Sequence, residues 1–354
     1  MGSSSLDTAT KSPPKVRFRD LQIEMAHGAG GKASRRLIEG LFVPLLFGSS
    51  PGPLGDAAVV EVDGARVAIT TDSFVVKPLT FPGGSIGELA VNGTVNDLAV
   101  SGARAEAMVV TYVLEAGLPS GALEAEVRAM ARAAERAGVK IVGGDTKVVE
   151  NGKADRMYVT TTGIGRLMEG VTVSPQSVRP GDKVLLSGPI GDHGITILLA
   201  RGELDLQAEL ASDTRSVLPL VEALARAVGP GIRWMRDPTR GGVATSLNEL
   251  ARDCGLGIIL RDDKIPVRDM VRGACELLGL DPLHIANEGQ FLAVVAADQA
   301  EAGLSALTQS VGGEEAVMIG EVREQPAGTV LVTTSYGGSR VVDMLVGDPL
   351  PRIC

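Results

Sequence analysis

Two kinds of chemistry are written into this sequence: oxygen ligation by aspartates, and a thiol at its last residue. Asp56 in Gly-Asp-Ala-Ala-Val, Asp72 in Thr-Thr-Asp-Ser, Asp97 in Val-Asn-Asp-Leu and Asp145 in Gly-Gly-Asp-Thr each stand beside small or hydroxylated residues. One such aspartate is ordinarily a turn former or a helix cap. Four in the first half of a chain form a set able to hold magnesium, a hard cation that takes oxygen ligands and carries nucleotide phosphates. Bare carboxylates would repel a triphosphate, so this reading requires the metal. Cys354 closes the sequence behind Pro349 and Pro351. It is not a prenylation box, which needs three residues after the cysteine. A thiol in that position reacts as its thiolate, either by reaching an active site or by presenting its sulfur to a partner.

Other motifs carry less. His27-Gly-Ala-Gly-Gly-Lys32 looks like a phosphate loop but has Ala26 and Ala33 where that pattern needs Gly and Ser or Thr. Gly28, Gly30 and Ala33 match a dinucleotide fingerprint, yet the strand before them is weak and Asp56 is misplaced for a ribose ligand. Asn92 and Asn96 lie four apart and share a helix face. Lys147, just after Gly-Gly-Asp-Thr, reads by default as a surface lysine, and Glu288 in Asn-Glu-Gly-Gln as a turn acid. His193 falls at a helix start, and Asp237 before Pro238 is a good way into a helix that needs no functional explanation.

These residues need elements to position them. Leu37, Ile38, Leu41, Leu45 and Leu46 recur at helical spacing and predict a helix over residues 32–47, followed by a turn at 49–53. Residues 58–62 and 66–71 read as strands joined by the hairpin dipeptide Asp63-Gly64. Helices over 86–101 and 123–137 alternate with strands at 108–114, 139–142 and 157–164, leaving Gly-Gly-Asp-Thr-Lys in a loop. Patterning lapses over 169–180. A strand at 183–187, helices at 191–200, 217–228 and 241–252 and a strand at 257–260 then open a second unit that runs to about residue 332. At 354 residues, two domains are expected. The boundaries that follow are a mobile tail over 1–24, domains over 25–170 and 178–335, and a mobile, extended tail over 336–354.

Composition narrows the function classes. The net charge is −9, from 34 basic and 43 acidic residues, which gives no general attraction to nucleic acid or anionic lipid. Three cysteines, Cys254, Cys275 and Cys354, make neither a disulfide framework nor a metal-ligand spacing, as suits a reducing cytoplasm. No apolar run reaches membrane-spanning length.

Taken together, several strings resemble the hydrogenase maturation factor HypE family of the aminoimidazole-ribonucleotide-synthetase-like (PurM-like) superfamily. They are TTDSFVVKP (70–78), FPGG (81–84), GTVNDLAVSG (93–102), GGDTKV (143–148), MRDPTRGG (235–242) and the terminal PRIC (351–354). PRIC is the string that singles out this family, and Gly55 stands where relatives often carry an acid. The resemblance implies two α/β domains with mixed sheets (an α+β arrangement), the first binding ATP and forming a homodimer. It implies an ATP- and Mg2+-dependent carbamoyl dehydratase. A carbamoyl group, placed on Cys354 by the carbamoyltransferase HypF, would be dehydrated from thiocarboxamide to thiocyanate. The cyanide would pass through a HypC–HypD scaffold to the iron of nickel–iron hydrogenase. By the same resemblance Asp56, Asp72, Asp97 and Asp145 hold metal, those four with Asn96 and Thr146 bind the nucleotide, and Lys147 and Glu288 move protons. Cousins that phosphorylate a small diffusible substrate, such as selenophosphate synthetase or thiamine-monophosphate kinase, have no need of the terminal cysteine. A non-catalytic carrier that merely presents Cys354 would have no need of the acids.

Overall fold

The computed structural model describes residues 17–47, 54–202, 209–347, 350 and 352–354. The expected turn at 49–53, most of the expected N-terminal tail, and Pro349 and Pro351 lie outside those residues. The N-terminal helix begins as α1 (Lys32–Leu37), passes through a π-type turn at Ile38–Phe42 and ends as α2 (Val43–Leu46).

The first unit is a five-stranded mixed sheet. Its strands are β1 (Ala58–Val62), β2 (Ala65–Phe74), β5 (Ala103–Glu115), β6 (Lys140–Val149) and β7 (Met157–Leu167), in the order β1-β2-β7-β5-β6. A small hairpin of β3 (Thr80–Phe81) and β4 (Gly84–Ser85) leads into α3 (Ile86–Val100). Strand alternation decides which face is covered. Ala68, Thr70, Phe74, Met108, Val110, Met157, Val159 and Thr161 point inward and are buried. They pack under α3 and α4 (Ser120–Ala137). The amphipathic α4 offers Ala129, Met130, Ala133, Ala134 and Ala137 to the core and stops at Gly138, whose φ of 67° supplies the left-handed cap. The opposite face of the sheet is open, with Val109 and Ile164 about two-fifths exposed.

The second unit is a seven-stranded sheet in the order β14-β13-β10-β12-β8-β11-β9. Those strands are β8 (Lys183–Leu186), β9 (Ile232–Arg236), β10 (Gly257–Arg261), β11 (Leu292–Val295), β12 (Val317–Arg323), β13 (Val330–Thr333) and β14 (Ser339–Val342). Only β10 and β13 pair in parallel. The sheet is covered on both faces: Val184 and Leu186 join the cluster around α7 (Gly242–Cys254), and Leu185 joins the cluster that holds α5 (Asp192–Ala200) and α6 (Leu218–Val228). Helices α8 (Asp269–Leu278) and α9 (Ala300–Thr308) complete that second layer. One core cluster runs from Ala68 of the first sheet to Ile353, so the two units share a core across α3 and α6. This accounts for α3 being buried around almost its whole circumference. No helix among the described residues is long and apolar enough to cross a membrane.

Three local expectations are corrected. Gly143–Lys147 belong to the long strand β6, not a loop. A strand forms at Ile232–Arg236 just before the Asp-Pro motif. Ser339–Val342 form the edge strand β14, so the pattern-free tail expected from residue 336 is partly sheet.

Candidate active site

The aspartates that converge come from three places in the fold. Asp56 precedes β1, Asp97 lies in the last turn of α3, and Asp237 follows β9 across the unit boundary. Each offers a carboxylate oxygen, and these oxygens lie within 4.8 Å of one another. Thr70 on β2 ties two of them together: its hydroxyl is 2.7 Å from the Asp56 carbonyl and 2.8 Å from Asp97 Oδ2. The Ala57 amide donates to Ser101 Oγ at 3.0 Å, pinning the same stretch to the end of α3. Asp72, two residues after Thr70 and on the same face of β2, adds its charge to the group.

Burial pushes the carboxyls of Asp97 and Asp237 well above the usual range, and mutual repulsion adds to this; Asp56 and Asp72 are raised by burial as well. Arg236 is the main counter-charge, with Nε 3.2 Å from Asp56 Oδ2 and Nη1 3.1 Å from Glu249 Oε2.

Glu288 joins this centre from the turn before β11. It is 3% exposed, and its Oε1 is buried with no hydrogen-bond partner among the described residues. Burial raises its pKa well above the usual value, reinforced by Asp237, Asp72 and Asp213 and opposed by Arg240. Asn96 is the residue that holds it in place. Its amide donates to the carbonyls of Arg215 (3.0 Å) and Glu288 (3.2 Å) and accepts from the Val217 amide (2.8 Å). Those bonds use both of its donors, so Asn96 works as a clamp between the units.

With Glu249, six carboxylates face two arginines in this buried region, and within the chain their mutual repulsion is relieved by protonation. Every donor is a hard oxygen, and one of them is an orphan. A divalent, oxygen-seeking cation such as magnesium fits this set.

The C-terminal residue arrives beside the same group. Residues 352–354 run antiparallel to residues 75–77 at the end of β2: the Val75 amide donates to the Cys354 oxygen at 3.0 Å and the Lys77 amide to the Arg352 oxygen at 3.4 Å. Ile353 and Leu350 are each 5% exposed, and Cys354 packs against the shared core. Arg240 stands between the tail and the acids, its charge held chiefly by Cys354 and then by Asp72, Glu288 and Asp97. The glycine-rich stretch after His27 closes over this point. A side chain on Gly30 would strike the Arg240 backbone and one on Gly31 the Leu345 carbonyl, so these glycines serve close packing and not a phosphate cradle.

Asp145, Thr146 and Lys147 are elsewhere. Asp145 pairs through Thr111 and Thr160 to Ser73, so it lies on the open face of the sheet, whereas Asp72 lies on the covered face. Three strand spacings, about 14 Å, separate the two strands. Lys147 Nζ is 2.7 Å from Asp145 Oδ2, with both side chains more than half exposed. That lysine is therefore neither desolvated nor beside Glu288 within one chain. Conversely, Asp237 and Arg240 were missed as functional residues. The available signal was a pair of charges bracketing Pro-Thr ahead of Gly241 and Gly242, whose φ values of 78° and 60° force the turn that brings both inward.

Comparison with known proteins agrees with this architecture. The AIR synthase related protein N-terminal domain matches residues 54–167 and the C-terminal domain of that family residues 179–333. The carbamoyl dehydratase HypE of Azotobacter vinelandii is 48% identical over 96% of this chain and 99% of its own. The crystal structure of a HypE–HypF complex matches with a TM-score of 0.82 at 45% identity, over 87% of this chain and 99% of that one. That of HypE in complex with ATP matches with a TM-score of 0.78 at 44% identity, over 94% and 100%. On sequence and fold together, this chain belongs to the HypE family of carbamoyl dehydratases, enzymes of hydrogenase maturation.

Proposed function

We propose that the enzyme carries a carbamoyl group as a thiocarboxamide on Cys354 and dehydrates it, with ATP, to a protein thiocyanate. The observation that carries this reading is the seating of the terminal cysteine beside Arg240 and the buried acids. An amide oxygen is a poor leaving group, so transfer of the γ-phosphoryl of ATP to it converts it into a leaving phosphate. Two protons then leave the nitrogen as the C–O bond breaks and the nitrile forms, and sulfur keeps its bond to carbon throughout. Magnesium at Asp56, Asp97 and Asp237, with Asp72 in support, would neutralise charge on the phosphates. Glu288 is the candidate base: it is buried, orphaned and raised in pKa, and a cation that relieved the neighbouring acids would lower that pKa and leave the carboxylate ionised to take a proton. The packed Ile353, Leu350 and glycine segment exclude water, whose attack on the carbamoyl group would simply return the thiol.

Asp145, Thr146 and Lys147 would enter such a site only from a second copy. The open face of the first sheet, with Val109 and Ile164, supports a homodimer across which these exposed groups are exchanged. The carbamoyltransferase HypF would load the cysteine, and the HypC–HypD scaffold would receive the cyanide for nickel–iron hydrogenase. Full-length Cys354→Ala, incubated with its carbamoyltransferase, carbamoyl donor and Mg–ATP, is expected to form no protein-bound nitrile. Nitrile formation in that variant would remove Cys354 as the carrier.

A further inference from the structure

Arg352 adopts φ = 58°, a left-handed conformation that disfavours an L-residue by roughly 1–2 kcal/mol. Such a backbone persists only where its surroundings over-determine it, and here every polar group of the residue with a described role is engaged. The guanidinium pairs with Asp155, lies 5.9 Å from the centroid of the Tyr158 ring, and donates to the Val75 carbonyl through Nη2 at 3.2 Å. The Arg352 carbonyl accepts from the Arg201 guanidinium and the Lys77 amide. Tyr158 in turn donates its hydroxyl to Asp155 at 3.1 Å, and Lys77 approaches the same carboxylate at 3.5 Å.

The next residue is held from the other unit. His193, fully buried in α5, places Nε2 2.6 Å from the Ile353 carbonyl. A carbonyl only accepts, so Nε2 carries the proton and Nδ1 accepts from Ser212 Oγ at 2.8 Å. Burial lowers the pKa of the ring to about 4, so it is neutral at physiological pH. Phe81 meets it edge-on at 5.7 Å and fixes its plane. None of these groups touches the acid cluster. Their common product is the placement of the two residues before the thiol.

We propose that Asp155, Tyr158 and His193 are positioning residues for the reaction at Cys354: by fixing the backbone of Arg352 and Ile353 they set where the terminal sulfur stands. This rests on the reading of Cys354 as the carrier, and it adds a latch built from both units. Asp155 and Tyr158 grip the Arg352 side chain from the first unit, and His193 grips the Ile353 backbone from the second. A thiol on an unlatched tail would sample solvent and meet Arg240 and Glu288 only part of the time, which lowers the rate in proportion to the docked fraction.

The test is a charge swap in the full-length protein, read two ways: iodoacetamide alkylation of Cys354, with Cys254 and Cys275 as internal references, and single-turnover water loss from the carbamoylated cysteine. Asp155→Arg and Arg352→Asp are each expected to raise Cys354 alkylation roughly tenfold, the effect of losing one charge-assisted hydrogen bond. Each is expected to slow water loss, and the double swap to restore both readings toward wild type. His193→Gln keeps a donor nitrogen and is expected to stay latched, whereas His193→Leu is not. Wild-type alkylation rates in both single variants, or a double swap as reactive as either, would overturn the latch. Faster alkylation with unchanged water loss would overturn its role in positioning while leaving the carrier reading intact. A wild-type protein that loses no water contradicts the carrier reading itself, and that outcome needs no variant.

Discussion

Asp56, Asp97 and Asp237 bring three carboxylates within reach of one ion, and the protonation of that group controls what it can bind. Their pKa values are raised, so without a cation the folded protein binds protons here that the unfolded chain would release. The sign follows: stability from this group is full below about pH 4, the ordinary carboxyl range, and is lost as pH rises through the folded values. Magnesium bound at these oxygens would reverse that trend by replacing the protons. Titration calorimetry at pH 7 in buffers of different ionisation enthalpy is expected to register proton release on Mg2+ binding. Asp237→Asn is expected to weaken binding roughly tenfold or more by removing a hard anionic ligand. Binding unaffected by Asp237→Asn would contradict a magnesium site at this group. Sequence alone marked Asp56, Asp72 and Asp97 by their small neighbours, but Asp237 hid behind Pro238, where a helix start was sufficient explanation. The part Asn96 plays at the joint between units was not legible, because its partners Arg215, Val217 and Glu288 lie far along the chain.

At the scale of elements, the informative strand is β6. Its Gly-Gly pair looked like a loop because glycines punctuate loops. In the fold, a side chain on Gly144 would collide with the Val110 carbonyl, and the irregular pairing beside Met108 and Val109 needs that close approach. The strand therefore continues through Asp145 and Lys147 and carries them to the open face. β2 and α4 were legible because each has one covered face and an apolar repeat to match, whereas β1, exposed along its length, was marked by the Asp63-Gly64 hairpin dipeptide and α3, buried almost all round, by its apolar run. Neither β9 nor β14 was visible: β9 is short and pairs with the distant β11, and β14 is a four-residue edge strand that pairs only with its neighbour β13. If the open face is where two copies meet, a charge in its apolar part will separate them. Ile164→Arg is expected to halve the mass found by light scattering and to depress ATP-dependent activity, since Asp145 and Lys147 would no longer be exchanged. A wild-type protein that is monomeric at micromolar concentration would contradict the shared site.

The whole molecule makes one centre from parts that are separately inert. Asp56, Asp72 and Asp97 come from the first unit, Asp237, Arg240 and Glu288 from the second, and Cys354 from the end of the chain. A single core cluster spanning both units holds the arrangement, so the site exists only while they are packed together. The two α/β units were legible in sequence because each has its own run of elements. The seating of the tail was not, since its last residues are ordered by an ion pair, a buried histidine and two apolar side chains with no local pattern. The chemistry at Cys354 is read directly by intact-protein mass spectrometry. After carbamoylation by the partner enzyme, Cys354 should carry one carbamoyl adduct that loses the mass of one water when Mg–ATP is added, and only then. An unmodified Cys354, with ATP consumed only when a small molecule is supplied, would contradict the account and point to a diffusible substrate.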